Sequence, residues 1–364
     1  MKNSFGSAIS VTLFGESHGA AIGAVIDGLA PGIKIDEEYI SARLDERRAV
    51  GDISTKRRES DIFEIISGAF NGYTTGTPLT VIIRNEDVRS KDYTTLLTKP
   101  RPSHADYVAN EKYHGYQDYR GGGHFSGRIT AALVAAGAII RHALETKGIY
   151  IGTHIKRLYD LCDRDFCDYK KDINALFDTK LPVLDSEAAQ RMVAKIKEIG
   201  ASGDSVGGIL ETAIIGVPPG VGEPWFDTVE GTLSHALFSV PGIKGVEFGA
   251  GFGFADLLGS EANDPFCIND GRVTTKTNNN GGINGGITNG MPITFRCAVK
   301  PTPSIYKEQK TVDLSKMENT TLTVEGRHDP AIIHRARAVV DAVAAIAIAD
   351  MLTVRYGTDY LAKE

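Results

Sequence analysis

Residues Ile129–Lys147 read ITAALVAAGAIIRHALETK, and Gly148 follows them. Apolar residues fall on nearly every side of the helix this run predicts, and a glycine just past the end is a common helix stop. A helix apolar all round is buried, either in protein or in lipid. Arg128, Arg141, His142 and Glu145 argue against lipid. A second Ala-rich run opens with Gly326-Arg327-His328-Asp329-Pro330 and is predicted to continue to about Tyr356. Asp329 as N-cap with Pro330 in the first helical position is ordinary helix-start chemistry. Each run is introduced by Gly, Arg and His, which suggests a weak internal duplication. Two helices apolar all round need cover on every side. The expected fold is therefore α+β, with central buried helices sandwiched between two antiparallel β-sheets.

Working outward, the β-branched and apolar stretches around Val11–Phe14, Ala20–Gly28, Phe63–Ser67, Leu79–Arg84, Ile149–Ile155, Gly208–Val217, Lys244–Phe248 and Met291–Val299 read as strands. Asp36–Arg48 reads as a helix capped by Asp36, with Tyr39, Ile40 and Leu44 on one face. Ser186–Ile199 and Thr228–Phe238 read as further helices, the first with Met192, Val193, Ile196 and Ile199 inward. Glycines crowd the connections, as tight turns and close backbone–ligand approaches require.

The 364 residues allow a large core and one or two domains. A hydrophobic fraction of 42% and a charged fraction of 24% are ordinary for globular proteins, and a net charge of −6 gives no sign of affinity for nucleic acid or anionic membrane. Cys162, Cys167, Cys267 and Cys297 have neither metal spacing nor a disulfide framework. The N-terminal MKNSFGSAIS lacks the apolar centre of a signal peptide, so a cytoplasmic location is expected.

Several stretches carry chemistry. In Gly15-Glu16-Ser17-His18-Gly19, an acid, a hydroxyl and an imidazole follow a strand end, flanked by glycines. The stretch also fits G-x-S-x-G, the nucleophile elbow of serine hydrolases. An elbow needs a sheet before it and a helix after it; here one strand precedes Ser17 and another strand follows. Arg43, Arg47 and Arg48, with Lys56, Arg57 and Arg58 after them, form either a solvated basic helix end or an anion site. In Arg101–Tyr107, RPSHADY, Ser103 could cap a helix and His104 stands on a proline-set loop. Arg120–Arg128, RGGGHFSGR, feeds three glycines into a helix start, an anion-binding geometry, but matches no nucleotide motif. Asn278–Gly286, NNNGGINGG, reads either as a mobile loop or as a cover for a ligand. Lys300-Pro301-Thr302-Pro303-Ser304 is a rigid loop offering an ammonium and two hydroxyls.

Taken together, GESHG (15–19), RPSHADY (101–107), RGGG with Ser126, NNGGINGG (279–286), KPTPS (300–304) and GRHDP (326–330) resemble the chorismate synthase family in order and spacing. The resemblance spans nearly the whole chain, implying one catalytic domain over residues 1–364. It implies conversion of 5-enolpyruvylshikimate 3-phosphate to chorismate and phosphate by anti 1,4-elimination, the last common step of the shikimate pathway. It implies reduced FMN as cofactor, a small-molecule substrate and a homotetramer; no metal is expected. Such a flavin can lend and recover electron density, and the protein must hold an anionic substrate and protonate the departing phosphate.

Carried over by residue, the resemblance makes His18 the acid serving the phosphate and His104 the group that stabilises or protonates the flavin. Asp329 assists removal of the C6 proton, and Ser17 and Ser126 hold a hydrogen-bond network. Arg47, with Arg48 and Arg327, clamps the substrate's anions. His124, Phe125, Ser126, Pro241, Gly242, Gly285, Lys300, Pro301, Thr302, Pro303, Ser304 and Arg327 lie along FMN. Many members have Arg-Ser-Ser where this chain has His124-Phe125-Ser126. A basic residue usual six positions after Arg47 is Ile53 here, which leaves Lys56 or Arg57 as substitutes. Some members reduce their own flavin with NADPH. No dinucleotide motif is present, so reduced FMN is expected from an external flavin reductase.

Overall fold

A computed structural model describes residues 2–49, 51–54, 60–86, 96–177, 179–324 and 328–362. Two five-stranded antiparallel sheets organise it. The first contains β1 (Ser4–Phe5), β2 (Ser10–Gly15), β3 (Ala21–Asp27), β4 (Phe63–Ser67) and β5 (Leu79–Arg84), in the order β1-β2-β3-β5-β4. The second contains β6 (Tyr150–Leu158), β7 (Leu161–Cys162), β8 (Gly208–Ile215), β9 (Ile243–Phe248) and β10 (Ile293–Val299), in the order β9-β10-β8-β6-β7. Pairing register aligns the apolar alternation: Ile22 faces Ile83, Ala24 faces Val81 and Ile26 faces Leu79, all fully buried. One face of the first sheet is thereby made continuous core.

The principal helices are α1 (Glu37–Glu46), α2 (Asp106–Tyr113), α3 (Thr130–Thr146), α4 (Ser186–Ala201), α5 (Val229–Phe238) and α6 (Ile333–Tyr356). The two Ala-rich helices lie between the sheets as expected: α3 packs on β3 and β5, α6 packs on β6 and β8, and the two pack on each other. They cross at Gly137. A Cβ built there would stand 2.4 Å from the Ala342 Cβ and 2.6 Å from its Cα, so glycine is what lets the two backbones meet. Residues Gly127–Thr146 are long and apolar enough to cross a membrane, and 83% of their most apolar window is buried inside the protein. One buried apolar cluster runs from Ile9 to Leu361.

Helix starts differ from expectation in two places. Asp329 does not cap α6, which begins at Ile333 without a side-chain cap; its carboxylate instead accepts a hydrogen bond from Arg335 Nη1 at 2.6 Å. Ser103 does not cap α2 either. It sits at φ 59°, and the helix starts at Asp106. The Asn278–Gly286 segment is tied down. Asn278 bridges the Pro292 carbonyl and the Gly282 amide, and Asp264 collects the amides of Asn279 and Asn280. All four cysteines are free, and no cluster of metal-ligating side chains occurs among the described residues.

Candidate active site

A cleft of about 1450 Å³ is lined by β1 and β2, the C-terminal ends of α1 and α5, the start of α3 and the first half of α6. It gathers His104, His124, Phe125, Ser126, Arg47, Arg48, Pro241, Gly242, Lys300, Thr302, Pro303, Ser304 and Asp329 from all over the chain. His18, Ser17, Pro301 and Gly285 do not line it. Arg327, Lys56, Arg57 and Arg58 lie outside the described residues.

His18 and Ser17 are buried behind the three glycines. Strand β2 ends at Gly15, where φ is 97° and a Cβ would come within 2.4 Å of the Ala21 carbonyl. The turn that follows brings the Ser17 amide to the Gly123 carbonyl at 3.1 Å. A Cβ on Gly121 would strike the His18 ring at 2.2 Å and the Ser17 Oγ at 3.0 Å; a Cβ on Gly122 would instead approach the His104 ring at 3.3 Å. The glycine segment thus separates the His18 ring from the His104 ring. His124 Nδ1 donates to the Gly15 carbonyl at 2.8 Å, pinning this segment to the end of β2. Ser126 Oγ accepts from the Arg128 amide and starts the turn into α3.

The cleft is strongly basic. Arg47, Arg48, Arg128, Lys180, Lys244, Lys300 and Arg335 line it, against Asp45, Asp61 and Asp329. Arg47 is neither the solvated helix end nor an open anion clamp. It is buried, with Nη1 on Asp61 at 3.0 Å, Nε on Thr130 Oγ1 and Nη2 on the Gly127 carbonyl. Arg128 grips the other oxygen of Asp61. Arg48 is more exposed and pairs with Asp45. Ile53 is a buried apolar side chain, so no anion ligand stands at that position. Arg335 joins the end of α1 to Asp329, with Nε on the Arg47 carbonyl at 2.8 Å.

On the opposite wall, Lys300 Nζ donates to the Ser103 carbonyl at 2.5 Å. Burial, reinforced by the charge of Lys244, pulls its ammonium below the ordinary lysine value. The Lys300 amide bonds to the carbonyl of Gly242, which has φ 96°. The buried Oγ1 of Thr302 has no hydrogen-bond partner among the described residues. Ser304 Oγ accepts from Arg101 Nη1 at 3.2 Å. His104 Nδ1 lies 2.6 Å from Asp106 Oδ1.

Sequence reasoning missed Asp61, Arg101, Asp106, Lys244 and Arg335. Arg101 and Asp106 were within reach, because they flank His104 in the same seven-residue motif. Asp61 lies in an irregular stretch, and Arg335 looks like any solvated helical arginine.

The family described as chorismate synthase matches residues 9–353. The chain is 49% identical to the chorismate synthase of Thermococcus gammatolerans over 352 residues, covering 96% of this chain and 97% of that one. It is 46% identical to that of Methanosarcina barkeri, covering 96% and 95%. A solved structure described as the crystal structure of chorismate synthase superposes with a TM-score of 0.76 at 30% identity, covering 97% of this chain and 94% of that chain.

Proposed function

The chain belongs to the chorismate synthase family, lyases that form chorismate in the shikimate pathway, and we propose that it does so by anti 1,4-elimination of phosphate from 5-enolpyruvylshikimate 3-phosphate with reduced FMN bound in the cleft. The observation that carries this reading is the convergence of RPSHADY, RGGGHFS, KPTPS and Asp329, up to 228 positions apart, on one basic cleft. Its volume exceeds the ~300–1000 Å³ usual for one small ligand and suits a cofactor and a substrate held together.

The lining residues fit reduced FMN. The unpartnered Thr302 Oγ1 is a free hydrogen-bonding group on a rigid Pro-flanked loop. Gly242 leaves its backbone uncovered, and Lys244 and Lys300 supply positive charge for a phosphate. Of the residues assigned to FMN, His124, Phe125, Ser126, Pro241, Gly242, Lys300, Thr302, Pro303 and Ser304 have the position for that role. Bound there, reduced flavin would supply transient electron density to the ring losing phosphate.

The protein's own part is to bind, orient and move protons. Arg48, Arg335 and Lys180 present cationic heads to substrate carboxylates and phosphate, while Arg47 and Arg128 hold Asp61 and stiffen the wall behind them. His104 meets the ligand from the RPSHADY loop. Asp329, aligned by Arg335, takes part in removal of the C6 proton. His18, with Ser17, is the group assigned to the departing phosphate, and it stands behind the glycine segment. We further propose a single domain over residues 1–364, a cytoplasmic homotetramer, and supply of reduced FMN by a separate reductase rather than by NADPH bound here. Trp225 and Phe226, 85% and 94% exposed in the single chain, support assembly.

An anaerobic assay with dithionite-reduced FMN and 5-enolpyruvylshikimate 3-phosphate, read by chorismate absorbance, tests the reading. Turnover dependent on dithionite and indifferent to NADPH is expected. FMN binding without turnover would reduce the protein to a binding role, and labelling of Ser17 by an organophosphate would revive the hydrolase reading.

A further inference from the structure

We infer that Asp106, held by Arg101, is a positioning residue that fixes the proton of His104 on Nδ1 and leaves Nε2 as the ring nitrogen that meets the ligand. The inference rests on the reading above only in taking His104 as a ligand-facing group.

The geometry is a four-way hold on one carboxylate. Oδ2 of Asp106 accepts the Arg101 amide at 3.0 Å and Arg101 Nε at 2.8 Å. Oδ1 accepts Arg101 Nη2 at 2.8 Å and stands 2.6 Å from His104 Nδ1. Arg101 Nη2 and His104 Nδ1 are themselves 3.0 Å apart. Two nitrogens that close have two possible explanations. In the first, Nδ1 carries a lone pair and accepts from Arg101; that lone pair would then face a carboxylate oxygen at 2.6 Å, which is repulsive. In the second, both nitrogens carry hydrogens aimed at the shared Oδ1, and their closeness follows from the common acceptor. Only the second puts a proton in both short contacts to Oδ1.

Arg101 makes Asp106 dependable in this role. Burial would raise the Asp106 carboxyl, but the bonds from Arg101 and His104 outweigh it and hold the group well below the usual carboxylate range. The acceptor stays ionised at any working pH. The guanidinium also offsets most of the carboxylate's charge, so the imidazole is oriented without the full pull of a bare anion. Nε2 has no partner among the described residues, and the ring is partly exposed on the cleft wall. Ser304, on the KPTPS loop, is bonded to the same guanidinium, so that neighbouring loop is registered to the orientation of His104. Neutral His104 would present a lone pair at Nε2, and the imidazolium would present a proton there.

Ring-15N NMR on the FMN-free protein tests this without turnover, His104 being assigned as the signal lost in H104Q. In the neutral form, protonated Nδ1 and bare Nε2 are expected; the reverse tautomer overturns the inference. Asp106→Asn should disturb that tautomer and lower kcat on the order of 10–10²-fold with KM changed little, and Asp106→Glu should recover part of the loss. The double variant D106N/H104A should be no slower than H104A alone; losses that multiply would mean Asp106 does not act through His104. Should H104A turn over normally, the role given to His104 fails, while the NMR result still decides what Asp106 does to its ring.

Discussion

Replacing Gly137 with Ala probes the contact on which both layers depend. At an unhindered helical site this change stabilises by up to ~1 kcal/mol, because alanine loses less backbone freedom. Here the new Cβ would lie 2.4 Å from the Ala342 Cβ, 2.6 Å from its Cα and 2.9 Å from its carbonyl oxygen. Apolar carbons prefer about 3.5–4.0 Å, so α3 and α6 must separate by roughly 1 Å. Two of the three atoms are backbone and cannot rotate aside. Overpacking of this kind costs about 1–3 kcal/mol, and the upper end applies where backbone is struck. After the propensity gain, a net loss of about 1–2 kcal/mol is expected. Urea unfolding at fixed protein concentration reads it as a lower midpoint with the slope unchanged. Gly137→Leu should give no folded protein. A G137A protein as stable as its parent, or more so, would refute the close crossing and with it the reason for glycine at that position.

Three further outcomes follow from other contacts. His154 is buried between Asp163 at 2.7 Å and Glu211 at 3.1 Å; burial opposes its charge, but the two carboxylates outweigh burial and raise its pKa above the ordinary 6.5. Its contribution to stability is therefore full below about pH 6.5 and lost as pH rises through the raised folded value, so H154Q should flatten the stability–pH curve on the alkaline side, as urea midpoints across pH would register. Asp350 of α6 accepts the amides of Ser7, Ala8 and Ile9, so D350A should cost about 3 kcal/mol and expose the N-terminal segment to limited proteolysis; unchanged cleavage would remove the clamp. Gly121→Ala and Gly122→Ala strain left-handed backbone alike, at about 1–2 kcal/mol each, but only the first drives a side chain into His18. G121A should lose turnover by a much larger factor than G122A, whose added Cβ only approaches the His104 ring at 3.3 Å, and a G121A protein of full turnover would detach His18 from the reaction.

The fold was legible where hydropathy has a period or lacks one. Ile129–Lys147 and the run ending at Tyr356 could only be core helices, and the strands on either side alternate or fill their cores as sheets require. What the sequence could not carry is which element starts where charges choose their partners in three dimensions. Asp329-Pro330 has the composition of a helix start, yet the carboxylate goes to Arg335, six residues on, and the helix opens without a cap. Ser103 is similar. The Arg101–Asp106 pair closes the loop more strongly than a serine cap would, so α2 begins at Asp106 itself. The run of asparagines and glycines read as mobile because composition does not reveal that Asp264 would arrive to satisfy its amides.

The site shows the same limit in its charges. From sequence Arg47 fits either a solvated helix end or an anion clamp, and both options have its guanidinium facing water or a ligand. The structure gives it three protein acceptors, one of them an aspartate invisible to any periodicity, at φ 49° in an irregular stretch. A buried Arg–Asp–Arg group carries one net positive charge whatever binds, and that charge cannot be withdrawn into solvent. Its field acts on the cleft through a fixed wall, whereas Arg48 and Lys180 can reach and release. On the proposed function, two kinds of cation would serve one anionic ligand: a buried pair that sets a standing attraction and rigid geometry, and exposed ones that make contact. Substitution of Arg47 removes a bond holding Thr130 at the head of α3, so it disturbs the helix that carries Gly137 as well as the charge. The basic wall and the core are thus joined through one side chain, and loss of activity in an Arg47 variant is expected to come with loss of stability.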